Sequence, residues 1–343
     1  MAISSIFFRV LLLLLTISDL FVQNHGQNFG INYGRIANNL PSPSHVSVLL
    51  KSLNVSRIKL YDANPNVLSS FSNSNVEFII GLGNELLQTM RDPSKAQIWI
   101  QQNVQPYIST TKITSINVGN EILGSNDVGN MINLLPAMQS VYNALVTLGL
   151  SQQVTVTTAH SYNILSNSFP PSNGAFRQDL IQYIQPLLSF QAQIKSPFFI
   201  NAYPFFAYKD DPDHVSLNYV LFQQNPGSID PNTNLHYDNM LYAQIDAVYA
   251  AIKALGHTDI EVKISETDFV HQFYHLHTSI LGVCLGAFKI VMRKRSKPRN
   301  FKRTILCKKD LLKGDKRSRS LYFESKFCTF CTHTLELFIL SSY

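Results

Sequence analysis

Most of the 343-residue chain has no cysteine: Cys284, Cys307, Cys328 and Cys331 all lie in the last quarter. The first three quarters therefore have no thiol for a disulfide framework, a thiolate metal site or a cysteine nucleophile. Charge is scarce at 15% of residues, whereas 45% are hydrophobic, which excludes a chain held open by self-repulsion and allows a large core. No G-x-G-x-x-G turn follows the first strand-like segment, which argues against a dinucleotide-binding fold. Internal repeats and low-complexity tracts are absent, and so is any apolar run long enough to cross a bilayer. The longest in the tail, Ile280–Phe288, has nine residues. No His, Cys, Asp or Glu grouping has metal spacing; Cys328-x-x-Cys331 lacks a matching second pair.

The first 26 residues read as a secretory signal, with Arg9 ahead of the apolar run Val10–Ile17 and cleavage expected near Gly26. The net charge of +6 is unevenly spread. Residues 267–343 carry 15 Lys or Arg against 5 Asp or Glu, whereas the other 266 residues carry 13 against 17. A mildly acidic body is thus joined to a basic tail, densest in Arg293–Arg319. That tail would suit an anionic lipid or nucleic acid, partners of little use to a secreted protein.

Between them, strand and helix signals alternate. Strand-like stretches are Phe29–Arg35, Arg57–Ala63, Val76–Gly81, Lys112–Val118, Gln153–His160, Ser196–Phe205 and Ile260–Glu266. Helical periodicity is expected over Pro41–Asn54, Val67–Ser72, Ser94–Tyr107, Met131–Leu148, Phe176–Phe190 and Met240–Leu255. Strands joined by helical crossovers require a parallel sheet. Polar or aromatic residues recur where strands end: Tyr33, Asp62, Asn120-Glu121, His160, Tyr203 and Glu266. That placement favours a (β/α)8 barrel, whose sites are built at the strand C-termini. Only seven strands are recognisable, so the barrel is expected to be incomplete, its last strand and helices replaced by an unrelated tail.

The chemistry centres on two carboxylates. Lys112–Ile122 reads K-I-T-S-I-N-V-G-N-E-I, a strand that breaks at Gly119 and then delivers Asn120 and Glu121. Ile260–Thr267 reads I-E-V-K-I-S-E-T and ends on Glu266 in the same manner. Two strands that each end in Glu suit glycosidic-bond hydrolysis, which takes one carboxyl to protonate the leaving oxygen and one to attack or to activate water. Glu121 would be the general acid and base, and Asn120 would bind the hydroxyl beside the reacting carbon. Whether the outcome is retention or inversion depends on the carboxyl separation, which residues alone do not give. Tyr33, Tyr61, Tyr203, Phe205 and Phe206 offer faces on which sugar rings stack, although core packing accounts for aromatics as often. Asp62 either supports the site or caps the Asn64-Pro65 turn, and His160 reads as a core or rim histidine.

Five segments carry a resemblance: F-G-I-N-Y-G-R-I-A-N-N-L-P-S-P (29–43), K-L-Y-D-A-N-P-N-V-L (59–68), I-N-V-G-N-E (116–121), F-F-I-N-A-Y-P-F-F-A-Y (198–208) and I-E-V-K-I-S-E-T (260–267). In this order they resemble the plant β-1,3-glucanases of glycoside hydrolase family 17. The resemblance runs from about Gln27 to Thr267. It implies a (β/α)8 barrel, a retaining mechanism and endo-hydrolysis of 1,3-β-glucans such as callose or fungal wall glucan. It also implies Glu121 as proton donor and Glu266 as nucleophile, while the strand-end placement makes Tyr33, Asn120, Tyr203 and Phe205 the expected substrate contacts. The expected profile is a cell-wall or vacuolar monomer that needs no cofactor or metal, spans no membrane and binds no nucleic acid. Family members continue S-E-T with G-W-P-S and an eighth strand bearing further cleft residues, whereas here Asp268-Phe269-Val270-His271 follows. The expected division is a signal peptide over 1–26, a hydrolase barrel over 27–267 and an atypical basic tail over 268–343, disordered or arising from the gene model. The rival expectation is a catalytically inactive relative that at most binds glucan.

Overall fold

The computed structural model describes residues 29–36, 40–53, 55–267 and 335–339. The signal peptide and nearly all of the basic tail lie outside the described residues.

The main sheet contains β1 (Phe29–Tyr33), β2 (Arg57–Leu60), β3 (Glu77–Leu82), β4 (Lys112–Asn120), β5 (Thr155–Ser161), β6 (Phe198–Asn201), β7 (Val262–Glu266) and β8 (Leu335–Ile339). The crossovers carry α1 (Pro43–Ser52), α2 (Pro65–Ser70), α3 (Pro93–Asn103), α4 (Val128–Thr147), α5 (Ile181–Gln193) and α6 (Met240–Ala254). Local chemistry starts these helices. Ser42, Asn64 and Asp92 each accept a hydrogen bond from a first-turn N–H, and a proline follows each of them at the first helical position. Asp127 and Asn239 cap α4 and α6 in the same way.

The sheet runs β7-β6-β5-β4-β3-β2-β1-β8, and the first seven strands in sequence are parallel where they pair. In a flat sheet, β2 and β7 would stand roughly 24 Å apart, five strand spacings. Yet Lys59 of β2 donates to Glu266 of β7 at 2.6 Å, and Asn32 of β1 donates to the Ser265 carbonyl at 3.4 Å. The sheet is therefore rolled into a nearly closed barrel.

Strand alternation sorts the core into two layers. Ile58, Leu60, Phe78 and Ile80 belong to the large cluster between sheet and helices. Ile79, Ala159 and Phe199, on the opposite phase, form a separate small cluster inside the barrel. Lys59 lies between Ile58 and Leu60 and so shares the inward phase.

Three elements differ from expectation. Strand β6 stops at Asn201, because Pro204 opens a seven-residue helix, Pro204–Asp210, where a longer strand was expected. Helix α5 begins at Ile181 rather than Phe176, because Ala175–Phe176 pair with Leu165–Asn167 in a small ladder. The third concerns the barrel's last strand. The tail supplies an eighth strand, β8, antiparallel to β1 in a register that sets Phe29 opposite Ile339 and Tyr33 opposite Leu335. An unpaired β1 edge is a template for any extended segment, and L-E-L-F-I satisfies it in either direction. Among the described residues no ladder joins β8 to β7, so these two strands remain the sheet's edges.

Candidate active site

Both sequence-predicted carboxylates stand at C-terminal strand ends, and a β-bulge precedes each. Between β4 and β5 the register passes from Asn117↔Thr157 to Asn120↔Ala159, three residues against two. Gly119 makes this possible at φ +67°, where a Cβ would meet Ile122 Cγ1 at 2.9 Å. Glu121 follows in the left-handed region at φ 56°, unusual for a side-chain-bearing residue, and its N–H is tied to the Ala159 carbonyl at 2.8 Å. Between β7 and β6 the register passes from Ile264↔Ile200 to Glu266↔Asn201, leaving Ser265 as the extra residue. Bulges of this kind re-aim the side chains beside them.

The end of β6 holds both acids. Asn201 donates through Nδ2 to Glu121 Oε1 at 2.9 Å, and the Tyr203 hydroxyl donates to Glu266 Oε2 at 2.7 Å. The Ala202 N–H donates to the Glu266 carbonyl at 2.9 Å. Three consecutive residues thus tie the end of β4 to the end of β7, so the two carboxylates share one rim.

Their surroundings differ. Glu266 is only 4% exposed, and Lys59, fully buried, donates to its Oε1 at 2.6 Å and to Ser265 Oγ at 2.6 Å. Burial alone would raise the Glu266 carboxyl, but the Lys59 charge and hydrogen bond, with the Tyr203 and Tyr61 hydroxyls, hold it below the usual carboxylate range. Glu121 is half-buried and meets an amide.

Asn120 is fixed through its backbone: Asn84 Oδ1 accepts its N–H at 2.7 Å, and Asn84 Nδ2 donates to its carbonyl at 3.1 Å. Its Oδ1 is buried and has no hydrogen-bond partner among the described residues, and the same holds for Asn201 Oδ1. Tyr203 is half-buried, with its ring 5.3 Å from that of Phe206, which is 51% exposed. Phe205 turns instead toward Tyr208, 5.8 Å away. Tyr61 is exposed at the rim, and Gly81 leaves room there because a Cβ would lie 2.3 Å from the Tyr61 backbone. Tyr33 packs in the core at 2% exposure, so it presents no open ring face; burial pushes its hydroxyl up, partly offset by Arg35. Asp62 accepts the Asn64 N–H at 3.2 Å, as the turn-cap reading expects, and pairs with Arg35 at 3.2 Å. His160 belongs to the core, fully buried and stacked on Phe198 at 4.5 Å.

Lys59, Asn201 and Asn84 were not singled out from the sequence. For Lys59 a signal exists, a lone cation between Ile58 and Leu60 on the phase that faces the barrel interior. Among the described residues no three His, Cys, Asp or Glu side chains gather as metal ligands do.

Comparison with known proteins decides the family. The model of Glycosyl hydrolases family 17 matches residues 29–271. The chain belongs to glycosyl hydrolase family 17. It is 68% identical over 265 residues to glucan endo-1,3-beta-glucosidase 14 of Arabidopsis thaliana, covering 77% of this chain and 67% of that one. Over 257 residues it is 55% identical to glucan endo-1,3-beta-glucosidase 11 of the same plant, covering 75% and 60%. The chain thus spans about two thirds or less of these relatives. Among solved structures it is similar to CJP38, a beta-1,3-glucanase and allergen of Cryptomeria japonica pollen, at TM-score 0.68 and 34% identity, covering 70% of this chain and 75% of that one. A plant beta-glucan endohydrolase follows at TM-score 0.65 and 31% identity, covering 69% and 76%. These likenesses bear out the barrel fold.

Proposed function

We propose that this family 17 hydrolase cleaves internal 1,3-β-glucosidic bonds, with Glu121 as proton donor and Glu266 as nucleophile in a retaining mechanism. The observation that carries the reading is the unequal setting of two carboxylates on one rim. Glu266 is kept anionic by a buried ammonium ion and two phenolic hydroxyls, as a nucleophile requires. Glu121 accepts from the neutral Asn201 amide and, among the described residues, makes no ion pair, which suits a group that must carry a proton and hand it on.

In the first step the Glu266 carboxylate attacks the anomeric carbon while the Glu121 proton passes to the departing glycosidic oxygen. In the second, water attacks the same carbon, Glu121 takes the water's proton, and the Glu266 electron pair returns to its carboxylate. Asn120 and Asn201 contribute acceptor oxygens that have no partner among the described residues and that sugar hydroxyls would satisfy. Tyr61 and Phe206 supply exposed ring faces, with Tyr203 beside Phe206, whereas Tyr33 is packed in the core and offers no face to a sugar. The names of the relatives support a 1,3-β-glucan as substrate, callose or fungal wall glucan. Secretion to the cell wall or vacuole rests on the signal-like N-terminus; among the described residues no helix is long and apolar enough to cross a membrane. The working unit is taken to be a monomer.

Reducing-sugar release from a linear 1,3-β-glucan by the full chain, with Glu266→Gln beside it, tests the reading. Release that disappears in the variant is expected. Retention of glucan with no release by the wild type would favour a binding protein that has lost catalysis.

A further inference from the structure

Lys59 is the only charged side chain buried inside the barrel among the described residues apart from its partner Glu266. Its ammonium group meets Glu266 Oε1 at 2.6 Å, Ser265 Oγ at 2.6 Å and the face of Tyr61, whose centroid is 5.2 Å away. Two of these follow from the bulge in β7, which brings Ser265 and Glu266 together to face β2. Burying an ammonium ion and a carboxylate is costly, and an apolar pair of similar volume would close the barrel as well or better. The placement therefore calls for a reason other than stability.

Position gives one. Because Lys59 is fully buried, the oxygen it holds, Oε1, is the inner one. Oε2 lies on the side of half-buried Tyr203, away from Lys59. Lys59 thereby fixes the rotation of the carboxylate and leaves Oε2 as the attacking atom.

We propose that Lys59 is a positioning residue for Glu266, presenting Oε2 for attack and stabilising the same carboxylate as leaving group when the glycosyl-enzyme breaks down. The inference rests on the retaining-hydrolase reading. In the attack the bond from the anomeric carbon to Oε2 forms, the bond to the departing glycosidic oxygen breaks, and the Glu121 proton goes to that oxygen. The ester is neutral, so the negative charge that Lys59 holds at Oε1 is lost. Breakdown forms the bond from water oxygen to the anomeric carbon, sends the water's proton to Glu121 and returns the electron pair to Glu266, restoring the ion pair. Lys59 thus disfavours accumulation of the intermediate and speeds its release. The other titratable groups recorded against Glu266 are Tyr61, just beyond β2, and Tyr203 from the end of β6; their neutral hydroxyls orient the carboxylate but cannot balance its charge.

The test uses the full chain as wild type, Lys59→Met and Lys59→Arg. On linear 1,3-β-glucan, Lys59→Met is expected to lose roughly 10²–10³-fold in kcat/KM, the scale of one electrostatic group aimed at the reacting centre. The acid limb of its pH profile should move up, and a 2-fluoro-sugar trapped on Glu266 should leave more slowly. Lys59→Arg should recover at least about tenfold of the loss, since the charge is what matters. A merely structural role predicts lower thermal stability with an unmoved acid limb and unchanged release; that result would overturn the proposal. Titration of the Glu266 carboxyl by ¹³C NMR, assigned against Glu266→Gln, decides the matter even if Lys59→Met does not fold. A wild-type carboxyl that titrates in the ordinary Glu range would also overturn it. If the wild type hydrolyses no glucan but this carboxyl titrates low, the hydrolase reading fails while the coupling of Lys59 to Glu266 stands.

Discussion

The ends of β4 and β7 bear the same side chain on the same rim and make it into two different groups. Each strand bulges just before its glutamate. At β7 the carboxylate sinks to 4% exposure against a buried cation and two hydroxyls. At β4 it stays half-buried on a single amide, its backbone held in the left-handed region. The lesson is that role is set by what the rest of the barrel presents to each strand end. Strand β2 sends a cation to β7, and the end of β6 sends an amide to one acid and a phenol to the other.

Removing the β7 carboxylate should break the contrast most severely. Glu266→Gln is expected to lower kcat by about 10⁴-fold or more, as loss of a nucleophile does, measured as reducing-sugar release. Glu121→Gln should cost roughly 10²–10⁴-fold, and the loss should shrink for an aryl glycoside whose leaving group needs no proton. If Glu121→Gln were equally damaging on both substrates, the assignment of the acid would be wrong. Asn201→Leu, which removes the hydrogen bond to Glu121 Oε1, should reduce kcat by about tenfold with the fold intact by circular dichroism, and it should leave the acid limb set by Glu266 in place.

The smallest effect sharpens the comparison with a buried group outside the site. Burial pushes the His160 ring down to about 3. Its folded value thus lies below its unfolded value, so the unfolded chain binds the proton first. The resulting stability is present above pH 6.5 and is lost as pH falls toward 3, by at most about 1.4 kcal/mol per pH unit. Chemical denaturation of His160→Leu from pH 7 to pH 4 should show a shallower decline than the wild type; an identical slope would contradict this account.

The parts of the molecule written in local pattern were readable from sequence. Alternation located seven strands, and helical periodicity located the six crossover helices, whereas Asn64-Pro65, read as a turn, proved to be the start of α2. Strand-end glutamates pointed to the candidate site because the barrel gathers such ends at one rim. What escaped was set by pairing between distant segments. Lys59 looks like any strand cation until the rolled sheet brings β7 against it, and Asn201 lies inside an apolar strand motif. The register of β8 on β1 depends on an open edge that only the assembled sheet possesses. Strand β6 was drawn too long because Pro204 and the aromatics after it suit an extended segment as well as the first turn of a helix.

The most direct test of the central claim is the anomeric configuration of the first product. Proton NMR of a linear 1,3-β-glucan during early hydrolysis by the full chain should show new β-anomeric ends first, with the α signal growing later by mutarotation. New ends that appear first as the α-anomer would mean inversion, and Glu266 would then be a base acting on water rather than the nucleophile.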